Sequence, residues 1–384
     1  MALLEPPPLS LYVHLPWCVR KCPYCDFKSH AARGDIPADQ YVDALLLDLE
    51  QDLPLVWGRP VQSVFFGGGT PSLFSAQHFE RLLSGFRALL PFSPALEITL
   101  EANPGTIEHD SFSAYRDAGI NRVSLGVQSF CDEALAAIGR IHGRLEALHA
   151  VESLHESGLE NFNIDLMFAL PGQDLASSEE DISTAISCAP AHISHYQLTI
   201  EPNTAFHADP PVLPAEDLAW EMQETAGALL AASGYEQYEV SAWAKPGLHC
   251  AHNLNYWRYG DYLGIGAGAH SKITVPAEAS VRRRVRVRHP LSWMRAVTVG
   301  EGLAEDRSLP AGELIFEFFL NQLRLKEGVR KSMLGPRTGA DWPEVAGRVN
   351  ELLSRGMLEE AGDLLVPTDL GWRFSNESLA IFLP

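Results

Sequence analysis

Three of the six cysteines fall within eight residues, Cys18-Val-Arg-Lys-Cys22-Pro-Tyr-Cys25, while Cys131, Cys188 and Cys250 stand alone. In a chain this large and rich in core-forming residues, such a cluster points to metal rather than to a disulfide framework. A structural zinc site usually takes four nitrogen or sulfur ligands from paired knuckles. No second CxxC pair is present, so zinc would need His14 or His30 as its fourth ligand, and that alternative stays open. A 4Fe–4S cluster normally takes four thiolates. Three thiolates from one loop leave one iron free to bind something else. Radical S-adenosylmethionine chemistry needs that arrangement: the open iron chelates the amino and carboxylate groups of the methionine moiety. The reduced cluster then passes an electron to the sulfonium, releasing a deoxyadenosyl radical. Pro23 and Tyr24 would stiffen the loop and shield it from water.

Other residues fit the same ligand. Gly67-Gly68-Gly69-Thr70 would let backbone approach closely, as only glycine can, or would simply make a strand-to-helix turn. Glu101 could hold an ammonium group or ribose hydroxyls, or could be a solvated strand end. Gln128, Arg140 and Asp165 could bind ribose, carboxylate and ribose respectively, each with a surface or core role as its alternative.

The elements that must position these groups read as alternating short β runs and amphipathic helices. Strands are expected at Leu11–Leu15, Val64–Phe66, Glu97–Glu101, Val123–Val127, Asn163–Met167 and Ile193–Ile200. Helices are expected at Ala38–Leu53, Ser75–Leu90, Ile107–Ala118, from His142-Gly143 to Gly158, at Leu175–Ser187 and at Ala215–Ala232, with Ser75 a plausible N-cap. Six βα units with short loops imply a parallel sheet, curled by right-handed crossovers into a partial (β/α)6 barrel. Chemistry in such barrels sits at the C-terminal strand ends. Cys18, the glycine run, Glu101, Gln128 and Asp165 all fall there. The alternation is expected to stop near Tyr238. Residues 1–240 then form the core, 241–300 a connecting segment, and 301–384 a mostly helical, winged-helix-like C-terminal domain. In that last part the helices are expected at Glu313–Leu325 and Trp342–Arg355, and a hairpin at Asp363–Pro367 and Trp372–Ser375.

Composition bounds the function class. The 384 residues are 46% apolar and 20% charged, which excludes global disorder, and the net charge of −20 opposes a nucleic-acid-coating role. Met1-Ala2-Leu3-Leu4-Glu5 and the prolines after it lack a signal-peptide pattern. No apolar run approaches the roughly 20 residues of a membrane span, so a cytoplasmic location is expected.

Five segments carry a family resemblance. They are Tyr12-Val-His-Leu-Pro-Trp-Cys-Val-Arg-Lys-Cys-Pro-Tyr-Cys-Asp-Phe27, the Gly67–Thr70 turn with Pro71, Glu101-Ala-Asn-Pro104, Gly126-Val-Gln-Ser-Phe130 and Asp165-Leu-Met-Phe-Ala-Leu-Pro-Gly172. They resemble the radical-SAM haem chaperone family HemW, which is related to the oxygen-independent coproporphyrinogen III oxidase HemN. The resemblance implies Cys18, Cys22 and Cys25 as cluster ligands. It also implies Tyr12, Tyr24, Gly68, Gly69, Thr70, Glu101, Gln128, Arg140 and Asp165 as S-adenosylmethionine contacts. The implied function is to bind haem and pass it to acceptor proteins, including ones at a membrane surface. Cluster and S-adenosylmethionine would then serve a structural, gating or redox role. The alternative is the oxidase, which would abstract hydrogen from coproporphyrinogen propionates to make vinyl groups. The oxidase carries a fourth cysteine two positions after the third, where this chain has Phe27, and a longer N-terminal extension.

His252-Asn253-Leu254-Asn255-Tyr256-Trp257 matches the HNxxYW motif associated with haem binding in the chaperone group. Histidine and tyrosine both ligate haem iron, and aromatic rings pack on a porphyrin face. The alternative is a structural loop in which His252 caps backbone groups and Trp257 fills a core gap. His249 and Cys250 are close enough to be alternative iron ligands. Arg282, Arg283, Arg284, Arg286 and Arg288 could receive haem propionates as bidentate partners, or could form a solvated edge strand protected by its charge.

Overall fold

The computed structural model describes residues 4–32, 34–105 and 109–384. Met1-Ala2-Leu3 and the expected helix start at Ile107 lie outside the described residues. Six parallel strands come first: β1 (Leu9–Leu15), β2 (Val61–Gly68), β3 (Phe92–Ala102), β4 (Arg122–Gln128), β5 (Phe162–Phe168) and β6 (His192–Gln197). Each pairs with its successor, as with Tyr12 opposite Phe65 and Asp165 opposite Ser194.

The two faces of each strand explain both the stability and the site. Along β1, Leu9, Leu11, Val13 and Leu15 are buried against helices, while Ser10, Tyr12 and His14 occupy the alternate positions. On β4 the aliphatic set is Val123, Leu125 and Val127, and the other set is Arg122, Ser124, Gly126 and Gln128. Burying each of these large aliphatic side chains contributes about 1.5–3 kcal/mol. The opposite face carries polar groups and lines open space, where a filled barrel would carry branched apolar residues.

The helices on the aliphatic face follow the expected order: Ala38–Val56, Ala76–Leu89, Phe112–Asp117, Arg144–Ser157, Leu175–Ser187 and Glu216–Ala232. Ser75 is the N-cap of the second, its hydroxyl accepting from His78 N–H. Gly158 ends the fourth in the left-handed conformation at φ 77°. The sixth strand is shorter than expected, because the chain turns away at Pro202-Asn203, with Asn203 at φ 64°.

Beyond residue 238 the expectation of a mere connecting segment misses real sheet. β7 (Glu236–Glu239) and β8 (Ala242–Ala244) extend the β6 edge. The other edge gains β9 (Asp261–Ile265), parallel to β1, then the antiparallel β10 (His270–Val275), β11 (Ser280–Arg286) and β12 (Leu303–Ser308). The full order is β12-β11-β10-β9-β1-β2-β3-β4-β5-β6-β8-β7. The arginine run is therefore an internal strand, not a solvated edge. Its charges are consumed by carboxylates: Arg284 and Arg286 by Asp52, Arg286 also by Asp48 at 3.0 Å, Arg282 by Asp306 at 3.0 Å and Arg283 by Glu317 at 2.6 Å. These four are thus not free propionate receptors.

The C-terminal part has its own apolar cluster, centred on Phe318, Phe319, Val345, Val349, Leu352 and Phe382. Its helices are Ala311–Gln322 and Pro343–Ser354, beside a three-stranded sheet of Val329–Arg330, Leu358–Ala361 and Leu364–Pro367. The hairpin thus turns at Gly362 rather than after Pro367. Residues 369–373 are helical instead, because the Thr368 hydroxyl accepts from Gly371 N–H and caps them. No helix among the described residues is long and apolar enough to cross a membrane.

Candidate functional site

The three-cysteine loop leaves the tip of β1 and is clipped back by a parallel pairing of Trp17–Cys18 with His30–Ala31. Lys21 Nζ donates to the Phe27 carbonyl at 2.9 Å and closes the loop. The glycine run after β2 packs against this loop. Gly69 N–H donates to Leu15 O and Thr70 N–H to Trp17 O, at 2.9 and 2.7 Å. A Cβ at Gly69 would strike the Trp17 carbonyl, and one at Gly68 (φ 110°) would strike the His14 ring. These glycines serve close approach between β2 and the loop.

Cys18, Cys22 and Cys25 open into a cavity of about 480 Å³. Its walls include Tyr24, Gly68, Gly69, Thr70, Glu101, Gln128, Arg140 and Asp165, eight of the nine expected contacts. Arg140 ties the loop to the barrel. Its Nη2 donates to Asn103 Oδ1 and to Gly126 O at 2.6 and 2.5 Å, and its Nη1 lies 3.7 Å from Cys22 Sγ. Gln128 sits at φ 71°, where the β4–β5 register shifts, and its Oε1 accepts from Tyr196 OH at 3.2 Å. A non-glycine residue held there is strain at a strand tip, where side chains are aimed into sites.

Among the described residues neither acid here has a cation within ion-pair distance, although the charge of Arg122 acts on Asp165. Glu101 accepts from Gly68 N–H at 3.1 Å, and Asp165 from Ser124 Oγ and Asn163 Nδ2 at 3.1 and 2.8 Å. Burial first, and then the charge of Asp165, pushes Glu101 up to about 8. Burial also raises Asp165. Two under-compensated carboxyls in a partly enclosed cavity suit a ligand carrying a sulfonium, an ammonium and ribose hydroxyls.

The donor set also fits an iron–sulfur cluster. Among the described residues no three His, Cys, Asp or Glu side chains gather closely enough to share one metal ion. Cluster ligands need not converge, since each thiolate takes a different iron. His14 is a poor zinc ligand because both ring nitrogens are engaged, with Tyr12 OH at 2.9 Å and Lys28 O at 3.2 Å. The His30 ring instead packs on that of His289 at 5.5 Å. Burial raises the Cys18 and Cys25 thiols, so cationic iron, with Lys21 and Arg140 nearby, would hold them as thiolates.

A second cavity of about 480 Å³ adjoins the first, sharing Phe27, Phe65, Gly68, Glu101 and Asn253. It gathers the remaining expected residues: Tyr12, His252, Tyr256 and Trp257, with His14, Lys28, Tyr262 and His270. The motif residues ride on the helix Ala251–Trp257, which reaches the strands near their N-terminal ends. Glu97 caps that helix, accepting from Ala251 N–H and His252 N–H at 2.9 and 3.0 Å. Asn255, at one of the two unspecified positions of the motif, is structural: its Nδ2 donates to Ser10 Oγ and Asp261 O at 2.8 and 2.9 Å. His252 does not cap backbone. Its Nδ1 meets Ser63 Oγ at 3.1 Å and its ring lies 4.8 Å from Phe65. Burial pushes it down to about 3, leaving a neutral imidazole. Iron ligation through Nε2 requires Nδ1–H to donate to Ser63. Trp257 sits under Arg324 at 4.3 Å and edge-on to Tyr256 at 5.0 Å. Neither alternative ligand lines this cavity: the His249 ring stacks on Tyr238 at 4.6 Å, and Cys250 is buried against Glu97.

Several lining residues escaped sequence reasoning, among them Phe65, Asn103, Arg122, Ser124, Asn163, Ser194 and Tyr196. The available signal was a polar residue at every second position of otherwise apolar strands, as in Arg122-Val-Ser124 and Asn163-Ile-Asp165.

Comparison with known proteins agrees with this geometry. Residues 12–185 match the radical SAM superfamily, and residues 309–374 the HemN C-terminal domain. The haem chaperone HemW of Escherichia coli K12 is 48% identical over 381 residues, spanning 99% of this chain and 100% of that protein. HemW of Bacillus subtilis 168 is 32% identical, spanning 97% and 99%. Among solved structures, the radical SAM enzyme coproporphyrinogen III oxidase (HemN) from Escherichia coli superposes with a TM-score of 0.82 over 98% of this chain and 90% of that one. Its identity is 24%, a likeness of fold alone.

Proposed function

The chain belongs to the HemW family of haem chaperones, and from that premise we propose how its two cavities divide the work. The protein binds haem and passes it to acceptor proteins in the cytoplasm or at a membrane surface. It carries a 4Fe–4S cluster and S-adenosylmethionine as resident cofactors. Cys18, Cys22 and Cys25 would hold the cluster. Tyr24, Gly68, Gly69, Thr70, Glu101, Gln128, Arg140 and Asp165 would hold S-adenosylmethionine, with Tyr12 bridging towards the neighbouring cavity. When bound, the cluster would supply a one-electron redox centre beside the S-adenosylmethionine contacts. The chain's own groups orient and enclose. Glu101 and Asp165 face positive charge and hydroxyls, Arg140 holds the loop to the barrel, and Phe27 stands between the two cavities. His252 is the iron ligand we favour, with Tyr256 and Trp257 against the porphyrin.

One observation carries this reading: the cavities share walls, so the HNxxYW residues stand beside the three-cysteine loop rather than at a distance. The test is haem titration of anaerobically reconstituted protein, followed by transfer to an apo haem protein. Wild type should develop a Soret band at about one haem per chain, and His252→Ala should lose at least tenfold in affinity. An unchanged band and affinity would remove His252 as ligand. Cys22→Ala should fail to load iron after reconstitution, and a normal cluster content in that variant would contradict the ligand assignment. In the same preparation coproporphyrinogen III should remain unconverted. Robust formation of protoporphyrinogen would favour the oxidase.

A further inference from the structure

The helix Ala251–Trp257 is tied to the three-cysteine cavity along two buried routes, and both begin at Asp165. The shorter route runs through Arg122, a lining residue of that cavity whose charge is favoured by Glu97 and Asp165. Arg122 Nε lies 4.0 Å from Glu97 Oε2, and Glu97 is the carboxylate that caps the helix at Ala251 and His252. The longer route is a continuous hydrogen-bond chain whose direction is fixed by chemistry. An ionised Asp165 can only accept, so the Asn163 amide must turn Nδ2 towards it, at 2.8 Å. Asn163 Oδ1 then faces His192 Nδ1 at 2.7 Å, which places the imidazole proton on Nδ1. His192 Nε2 is left to accept from Tyr238 OH at 2.9 Å. Tyr238 in turn packs in one cluster with Leu254 and Trp257 of the helix, and its ring lies 4.6 Å from that of His249 just before it. Every donor in the series points towards Asp165, so the bonds polarise one another in one sense.

We propose that S-adenosylmethionine and haem bind this chain interdependently, with Asn163, His192 and Tyr238 as positioning residues that carry the coupling from Asp165 to the haem-motif helix. This rests on the functional reading above, in which Asp165 meets ribose. Ribose hydroxyls donating to Asp165 compete with Asn163 and Ser124 for its lone pairs. A rearranged Asn163 amide changes what His192 Nδ1 can donate to, and hence where Tyr238 sits against Leu254 and Trp257 of the helix. Neither His192 nor Tyr238 lines a cavity, so a change there acts through its neighbours. Linkage makes the effect reciprocal: whatever factor one ligand exerts on the other is returned in full.

The experiment uses cluster-reconstituted full-length protein. Haem affinity is read from the Soret band with and without saturating S-adenosylmethionine, and S-adenosylmethionine affinity by calorimetry with and without haem. In wild type each ligand should shift the other's Kd by the same factor, about fivefold or more. In Tyr238→Phe, which keeps the ring and loses the donor, that factor should fall to within about twofold of unity, whatever happens to the single-ligand affinities. Glu97→Gln, which keeps one of the two capping bonds but no longer pairs with Arg122, should reduce the factor in part and covers the case of a Tyr238 variant that fails to fold. A wild-type haem Kd indifferent to S-adenosylmethionine would overturn the coupling while leaving the haem function intact. A factor equal in wild type and both variants would overturn the assigned residues. Failure of wild type to bind haem alone is the distinct outcome that would sink the functional reading, and this inference with it.

Discussion

Two pairs of buried acids sit on opposite faces of the same sheet and behave differently. Asp48 and Asp52, on the helix Ala38–Val56, are matched by Arg284 and Arg286 of β11, and Gly266 N–H adds a bond to Asp48 at 3.1 Å. Glu101 and Asp165, on the inner face, are met by hydroxyl, amide and backbone donors, and among the described residues neither has an ion pair. Both sets are desolvated, but only the first has arginines within ion-pair distance to offset that cost. The lesson is that burial of charge does not by itself mark a site. A buried carboxyl with its cation inside the chain is a fastening between elements; one without it is waiting for a ligand.

Breaking the fastening should give the largest effect. Asp52→Ala removes the carboxylate that Arg284 and Arg286 share, leaving them Asp306 and Asp48, and should cost about 3 kcal/mol in urea unfolding, with cofactor binding retained in the folded fraction. A loss under 1 kcal/mol would mean the two acid pairs are not distinct in kind. Next, Glu101→Gln should weaken S-adenosylmethionine at least tenfold by calorimetry, while the ligand-free protein melts a few degrees higher at pH 8. A destabilised ligand-free variant would show that Glu101 is a structural acid after all.

The pH dependence sharpens the contrast with a smaller signal. Glu101 is raised from 4.5 to about 8, so its contribution to stability is fully present below pH 4.5 and is lost as pH climbs through 8. Asp48, raised to about 6, has the same sign over a lower window. The buried histidines run the other way. His14, His142 and His270 are lowered to about 4 and His195 and His252 to about 3 by burial, so stability falls as pH drops from 6.5 towards those values. Between pH 7.5 and 8.5 these histidines are largely neutral in both states. The melting temperature of the ligand-free protein should therefore decline across that interval, and the decline should flatten in Glu101→Gln. Equal slopes in the two proteins would count against the assignment.

Much of the first cavity was legible because parallel βα units place strand tips at one mouth, so spacing along the chain maps onto position around a ring. Cys18, Gly68, Glu101, Gln128 and Asp165 could be read that way. The second cavity was legible only as a motif, since its walls come from β1, β2, β9 and β10 together. Strand β9 was missed because Gly264, Gly266 and Gly268 read as loop. The arginine run was misread as an edge because nothing local in Ser280–Arg286 announces Asp48 and Asp52, more than 220 residues earlier. Long-range charge pairing leaves no periodic trace.

The parallel pairing of β9 with β1 joins residues about 250 positions apart, Leu9 opposite Asp261. During synthesis, then, one flank of β1 has no neighbour until most of the polypeptide has left the ribosome, and the helix Ala251–Trp257 emerges only just before it. A nascent chain must hold a bare strand edge for tens of seconds at ordinary elongation rates. Iron and haem can meet a finished receptacle only after that late strand has docked.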